Sequence, residues 1–155
     1  YLTSLTIEGD TASPVTLGLD FEGRGFGIST TVPSTSSIVP ALGILTTPSG
    51  SFLTGNNNYT FSYSLSKNYG KLLYQGTTSY EYYLEGGEEK LTIEGEGSTS
   101  LAAPCPNTLD MGLNFSSCGG AIGGISIISG KVTEYSSQVQ AGDIVKNTVS
   151  IVNTF

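Results

Sequence analysis

The sequence predicts an all-β protein, an immunoglobulin-like β-sandwich of about eight to ten short strands with one disulfide. Three observations predict it. Apolar residues alternate with period two, turn residues recur about every 8–12 positions, and no window supports a helix of normal length. The 155 residues suit one domain around one core. Hydrophobic residues make up 37% and charged residues 12%, the latter about half the usual share of roughly 25%. Ser and Thr fill the difference. Collagen, coiled coil and a transmembrane helix are excluded: the chain has no Gly-X-Y period, no charged heptad and no apolar run of about 18 residues.

The elements follow in order. Tyr1, Thr3, Leu5 and Ile7 present one face of a first strand, and Gly9-Asp10-Thr11-Ala12-Ser13-Pro14 breaks it. Residues 1–14 therefore read as a strand with a linker, and residues 15–155 as the sandwich domain. Val15, Leu17, Leu19 and Phe21 alternate next, and Phe26 and Ile28 begin another strand after Glu22-Gly23. Pro33, Pro40, Gly43 and Pro48 interrupt any long element in residues 33–50. Tyr59, Phe61, Tyr63 and Leu65 alternate with Thr60 and serines. Lys67-Asn68-Tyr69-Gly70 then reads as a turn, with Lys71-Leu72-Leu73-Tyr74-Gln75 returning. A second hairpin is expected from Tyr80 to Glu96, turning at Gly86-Gly87, because glycine accepts positive φ without steric cost. Further strands are expected over 125–128, 131–135 and 143–155.

Chemistry is sparse. The chain contains no His, which removes the usual general base and zinc ligand. A Ser–His pair is therefore impossible, and no nucleophile elbow is present. The run Gly119-Gly120-Ala121-Ile122-Gly123-Gly124 lacks the Lys-Ser/Thr of a phosphate loop and reads as a turn into a strand. Arg24 reads as a solvated turn residue. The expectation is a protein that is not an enzyme and needs no cofactor. Glu81, Glu85, Glu88, Glu89, Glu94 and Glu96 crowd one predicted hairpin with only Lys90 to offset them. A solvated acidic face, a calcium site and a glycosidase acid–base pair are the readings of that cluster. The formal net charge of −7 argues against a nucleic-acid partner. Tyr59, Tyr63, Tyr80 and Tyr82 are expected to face the core. Tyr69, Tyr74, Tyr83 and Tyr135 remain as surface residues on which sugar rings can stack.

Habitat is better marked. The chain opens at Tyr1 directly on a strand, as a processed product does. Cys105 and Cys118 read as one disulfide closing a short loop, worth about 3 kcal/mol through unfolded-state entropy. Asn58-Tyr-Thr and Asn114-Phe-Ser are glycosylation sequons. Together these features point to an extracellular or cell-surface glycoprotein without a membrane span.

Residues 139–155 carry Ala141, Gly142, Asn147, Thr148, Val149, Ile151 and Phe155 in an Ala-Gly, short connection, alternating strand, terminal aromatic pattern. This pattern resembles the end of pilin subunits of the chaperone–usher and spore-coat-U families. The Ser/Thr/Gly-rich composition is similar to that of archaeal surface-filament subunits. The resemblance implies assembly by donor-strand complementation into a homopolymer, with residues 1–9 as the donated strand and Tyr1, Thr3, Leu5 and Ile7 at the interface. The physics is general: an incomplete sandwich exposes apolar pockets and unpaired backbone, and a neighbour's strand fills both. Pairing of residues 1–9 within their own sheet is the competing reading of that segment. A secreted carbohydrate-binding or adhesive sandwich, acting on glycans through exposed tyrosines, is the competing function.

Overall fold

Period-two alternation puts an apolar side chain on the same side at every second residue, and the chain responds with strands throughout. The computed structural model describes residues 1–23, 47–49, 56–73, 80–102 and 104–155. Within them lie eight strands: β1 (Leu2–Asp10), β2 (Thr16–Phe21), β3 (Thr47–Ser49), β4 (Asn56–Leu73), β5 (Tyr80–Gly97), β6 (Thr108–Ser117), β7 (Gly120–Val139) and β8 (Val145–Thr154). The described residues contain no helix, so none is long and apolar enough to cross a membrane. All neighbouring strands are antiparallel, and they form one sheet in the order β2-β1-β4-β5-β8-β7-β6-β3.

The sheet curls around its apolar face. Phe61 of β4 and Phe115 of β6 meet with ring centroids 6.2 Å apart, although three strands separate them in the hydrogen-bonded order. Register aligns the core in rows across the sheet. Tyr63, Leu91, Ile151 and Val132 form one, and Phe61, Ile93, Val149 and Tyr135 the next. Leu91, Ile93, Leu113, Val149 and Ile151 are fully buried, each contributing about 1.5–3 kcal/mol. β8 is shorter than its neighbours, so β5 and β7 both run past its end.

Several sequence expectations are corrected. Among the described residues the eight strands hydrogen-bond into one continuous curled sheet, not into the two separately bonded layers of a sandwich. Neither predicted hairpin turn is a turn. β4 and β5 are each unbroken and pair with one another along their length, so Lys67-Asn68-Tyr69-Gly70 and Gly86-Gly87 face each other in mid-ladder. The register shifts there, with Asn68 opposite Gly86 and Tyr69 opposite Leu84, leaving Glu85 as the extra residue of a bulge. The glycines serve close approach. A Cβ on Gly87 would lie 2.6 Å from the Phe155 ring, and one on Gly70 would strike the Tyr83 ring. The strands expected at 125–128 and 131–135 are parts of the single strand β7.

The expected disulfide is also absent. Cys105 and Cys118 flank β6, and its ten residues rise about 3.3 Å each, holding the two thiols roughly 30 Å apart. A disulfide needs Cα atoms within about 7 Å. Both cysteines are free and exposed. Arg24, Phe26, Ile28, most of residues 33–50, and Tyr74 lie outside the described residues.

Candidate functional site

The strand singled out in the sequence, β1, is an interior strand. It pairs with β2 on one side, Glu8 opposite Thr16 through Leu2 opposite Phe21. On the other it pairs with β4, Ser4 opposite Ser66 through Asp10 opposite Thr60. Leu5 therefore sits between Leu19 and Leu65, and Ile7 between Leu17 and Tyr63. Both are half-buried and pack against the core from its margin. Gly9 lies under Phe61, whose ring would be 2.7 Å from a Cβ there. Thr3 falls at the register irregularity against β2. Tyr1 is 51% exposed and stacks at a tilt on Tyr82 (4.7 Å) and Tyr69 (5.4 Å).

Polar contacts fasten the seat at both ends. The Tyr1 backbone nitrogen donates to the Glu22 carbonyl at 2.7 Å, and Glu22 pairs with Lys71 at 2.5 Å. The Lys71 ammonium also lies over the Tyr82 ring at 5.4 Å. Ser4 donates to Asp20. At the other end the linker-like break is a hairpin connection. Asp10 Oδ1 accepts from the Ala12 and Ser13 backbone N–H groups at 2.6 and 2.8 Å, and Thr11 N–H donates to the Tyr59 carbonyl. This is an Asx-type turn. Hydrogen bonding, first from the Ser13 side chain and then from the Ala12 backbone, holds the Asp10 carboxyl below its ordinary value.

The other predicted site residues fall elsewhere. Asn58 and Asn114 are both exposed, on β4 and β6. Asn58 Nδ2 donates to Glu96 at 3.3 Å beside an open polar depression of about 420 Å³ that Asp10, Tyr59, Glu94 and Lys146 also line. The carboxylates expected to crowd one hairpin are strung along β5. Fifteen steps at about 3.3 Å separate Glu81 from Glu96 by roughly 50 Å. Glu94 is paired with Lys146 at 2.6 Å, and Glu89 accepts from the Tyr63 hydroxyl and the Asn153 amide at 3.2 and 3.1 Å. Among the described residues no three His, Cys, Asp or Glu side chains are placed to hold a metal ion.

Tyr63 is buried, and Tyr59, Tyr69, Tyr82 and Tyr135 are half-buried. Tyr83 is 44% exposed and donates to Glu85 at 3.0 Å. The Tyr80 side chain lies outside the described residues. Sequence reasoning missed the Tyr1–Tyr69–Tyr82 cluster, because β1 and the ends of β4 and β5 meet only through the sheet order. No family model, curated protein or solved structure matches this chain.

Proposed function

We propose that this chain is a structural subunit of an extracellular filament, in which β1 of one copy fills the seat between β2 and β4 of the next. The observation that carries this reading is the position of β1. It is bonded on both flanks, yet its covalent tie to its own sheet is only the short connection 11–15. Among the described residues β2 is tied into the sheet by β1 alone, so taking β1 out leaves a gap beside β4 that is not held open on its far side, with the backbone of β2 and β4 unpaired and Leu17, Leu19, Tyr63 and Leu65 uncovered. Such a gap is costly in water and accepts an identical strand in the same register. Leu5 and Ile7 are the side chains that fill it. The two halves of the curled sheet then act as the layers of an immunoglobulin-like sandwich, completed by the neighbour. Head-to-tail donation does not close on itself and so propagates. A chain with only six Lys and Arg suits an exposed polymer, since trypsin-like proteases cut at those residues.

Thr6 lies opposite Ser64 in the β1–β4 ladder, at a Cβ separation that a disulfide can span. The test is a chain carrying Thr6→Cys and Ser64→Cys, with Cys105→Ser and Cys118→Ser to remove the native thiols. It is assembled, oxidised and run on a non-reducing denaturing gel. Donation gives a ladder of covalent multimers that collapses on reduction. A single band at the mass of one chain overturns the proposal.

A further inference from the structure

The two borders of the sheet are built differently. One is β3, three residues with Pro48 in the middle, and proline has no N–H to offer a further strand. The other is β2, and among the described residues no strand lies outside it. β2 is six residues, TLGLDF. It has no Lys, no Pro and no bulge of its own, since the irregularity against β1 falls at Thr3 on the β1 side. Leu17, Leu19 and Phe21 share one face and are 61%, 47% and 68% exposed. Native proteins normally blunt such a border, because it is a template for another strand. Here one border is blunted, and the other, among the described residues, is uncovered and carries three exposed apolar side chains on one face.

We propose that β2 pairs antiparallel with β2 of a second copy, about a twofold axis through Leu19. The sequence of the strand selects this register. With Leu19 opposite its own counterpart, Leu17 faces Phe21 of the partner subunit and Phe21 faces Leu17 of the partner subunit. Asp20 falls opposite Gly18 of the partner subunit, where no side chain stands, and the two carboxylates are staggered by two residues. An axis through Asp20 sets like charges directly opposite, which destabilises a ladder. An axis through Gly18 leaves Phe21, the most exposed of the three, without a partner in β2. Val15, its remaining counterpart, is already packed against the core. A twofold contact is isologous and closes at two copies, so it joins chains side by side and does not extend them. It stands independently of β1 donation.

The experiment uses the full chain with Cys105→Ser and Cys118→Ser. Leu19→Cys, oxidised with glutathione disulfide, is expected to give a covalent dimer and nothing larger. Leu17→Cys and Phe21→Cys are expected to stay single alone and to cross-link to each other when mixed. No dimer from Leu19→Cys, or equal cross-linking at all three positions, overturns the register and the contact. A second measurement separates this contact from filament growth. The Thr6→Cys, Ser64→Cys chain, refolded at high dilution so that β1 is locked to its own β4, is expected to sediment at twice the chain mass. Adding Leu19→Lys halves it. A locked chain that sediments at the mass of one copy overturns the proposal. Failure of the β1 ladder experiment leaves this result unaffected.

Discussion

Asn147→Ala tests how the crossing segment between β5 and β6 is held. Asn147 is 1% exposed and lies opposite the buried Gly95. Its Nδ2 donates to the Thr99 carbonyl at 2.8 Å, and its Oδ1 accepts from the Ser137 hydroxyl at 2.6 Å. Ser137 in turn accepts from the Leu101 N–H at 2.9 Å. One amide thus fastens residues 99–101 to β7 and β8. Each hydrogen bond contributes about 1 kcal/mol net, and a buried partner left unpaired costs about 1–3 kcal/mol. Thr99 and Ser137 are exposed, so water recovers part of that loss. The expected cost of Asn147→Ala is about 1–3 kcal/mol, a fall of about 2–4 °C in Tm per kcal/mol for a domain of this size. Asn147→Asp is expected to cost more at neutral pH, because it buries a charge and turns a carboxylate oxygen toward the Thr99 carbonyl. The deficit shrinks as the pH falls and the carboxyl protonates. Urea unfolding followed by tyrosine fluorescence measures the stability, and hydrogen exchange at the Leu101 amide measures the staple. A loss below about 0.5 kcal/mol, with Leu101 protection unchanged, refutes the reasoning.

Other predictions follow from single contacts. Burial first, then the Glu89 charge and hydrogen bond, push the Tyr63 hydroxyl up to about 12. Its stabilisation is therefore fully present below pH 10 and is lost as the pH rises through about 12. Absorbance titration of the tyrosinates should show one late step, and Glu89→Gln should bring it earlier; an unchanged step refutes the assignment. Gly87→Ala pushes a Cβ to 2.6 Å from both the Phe155 ring and the Ser66 carbonyl. It should cost about 1–3 kcal/mol in urea unfolding, with partial recovery when Phe155→Ala is added. Ellman's reagent should titrate two thiols per native chain, and zero thiols would restore the Cys105–Cys118 bridge. The Asp10 carboxyl is held below its ordinary 3.8. Its contribution to the hairpin is present above that value and is lost as the pH falls through its lower folded value. Asp10→Ala should remove exchange protection at Ala12 and Ser13 while leaving the β5–β8 ladder protected.

Strand character was legible wherever burial is one-sided. Phe61, Tyr63 and Leu65, and Val145, Val149 and Ile151, alternate because one face of their strands meets the core. Chain reversal was less legible, for a physical reason. Glycine marks a turn when positive φ is required, and it equally marks a strand crossed by a neighbour's ring. Gly70 beneath Tyr83 and Gly87 beneath Phe155 are of the second kind, and they flank the same bulge, Gly70 opposite Tyr83 and Gly87 opposite Lys67. The cysteine pair misled similarly. A short separation in sequence suggests a closed loop, but an extended strand spends that separation as length. The seat of β1 was half legible. Alternation marked Leu5 and Ile7, both half-buried, as the inward side chains, but pairing with β2 on one flank and β4 on the other depends on topology, which the local pattern does not encode.

The double pairing of β1 makes its attachment directional. A pull along the strand axis loads the bonds of both ladders together, so that none yields until many do. A pull across the β2 border opens the sheet pair by pair. The same strand is therefore strong in shear and weak in peeling, and rupture is set by the barrier for sliding and not by the equilibrium between the two states. In a thread built by β1 donation, tension along that axis falls on the stronger mode, and a lateral contact at β2 can part while the thread stays whole.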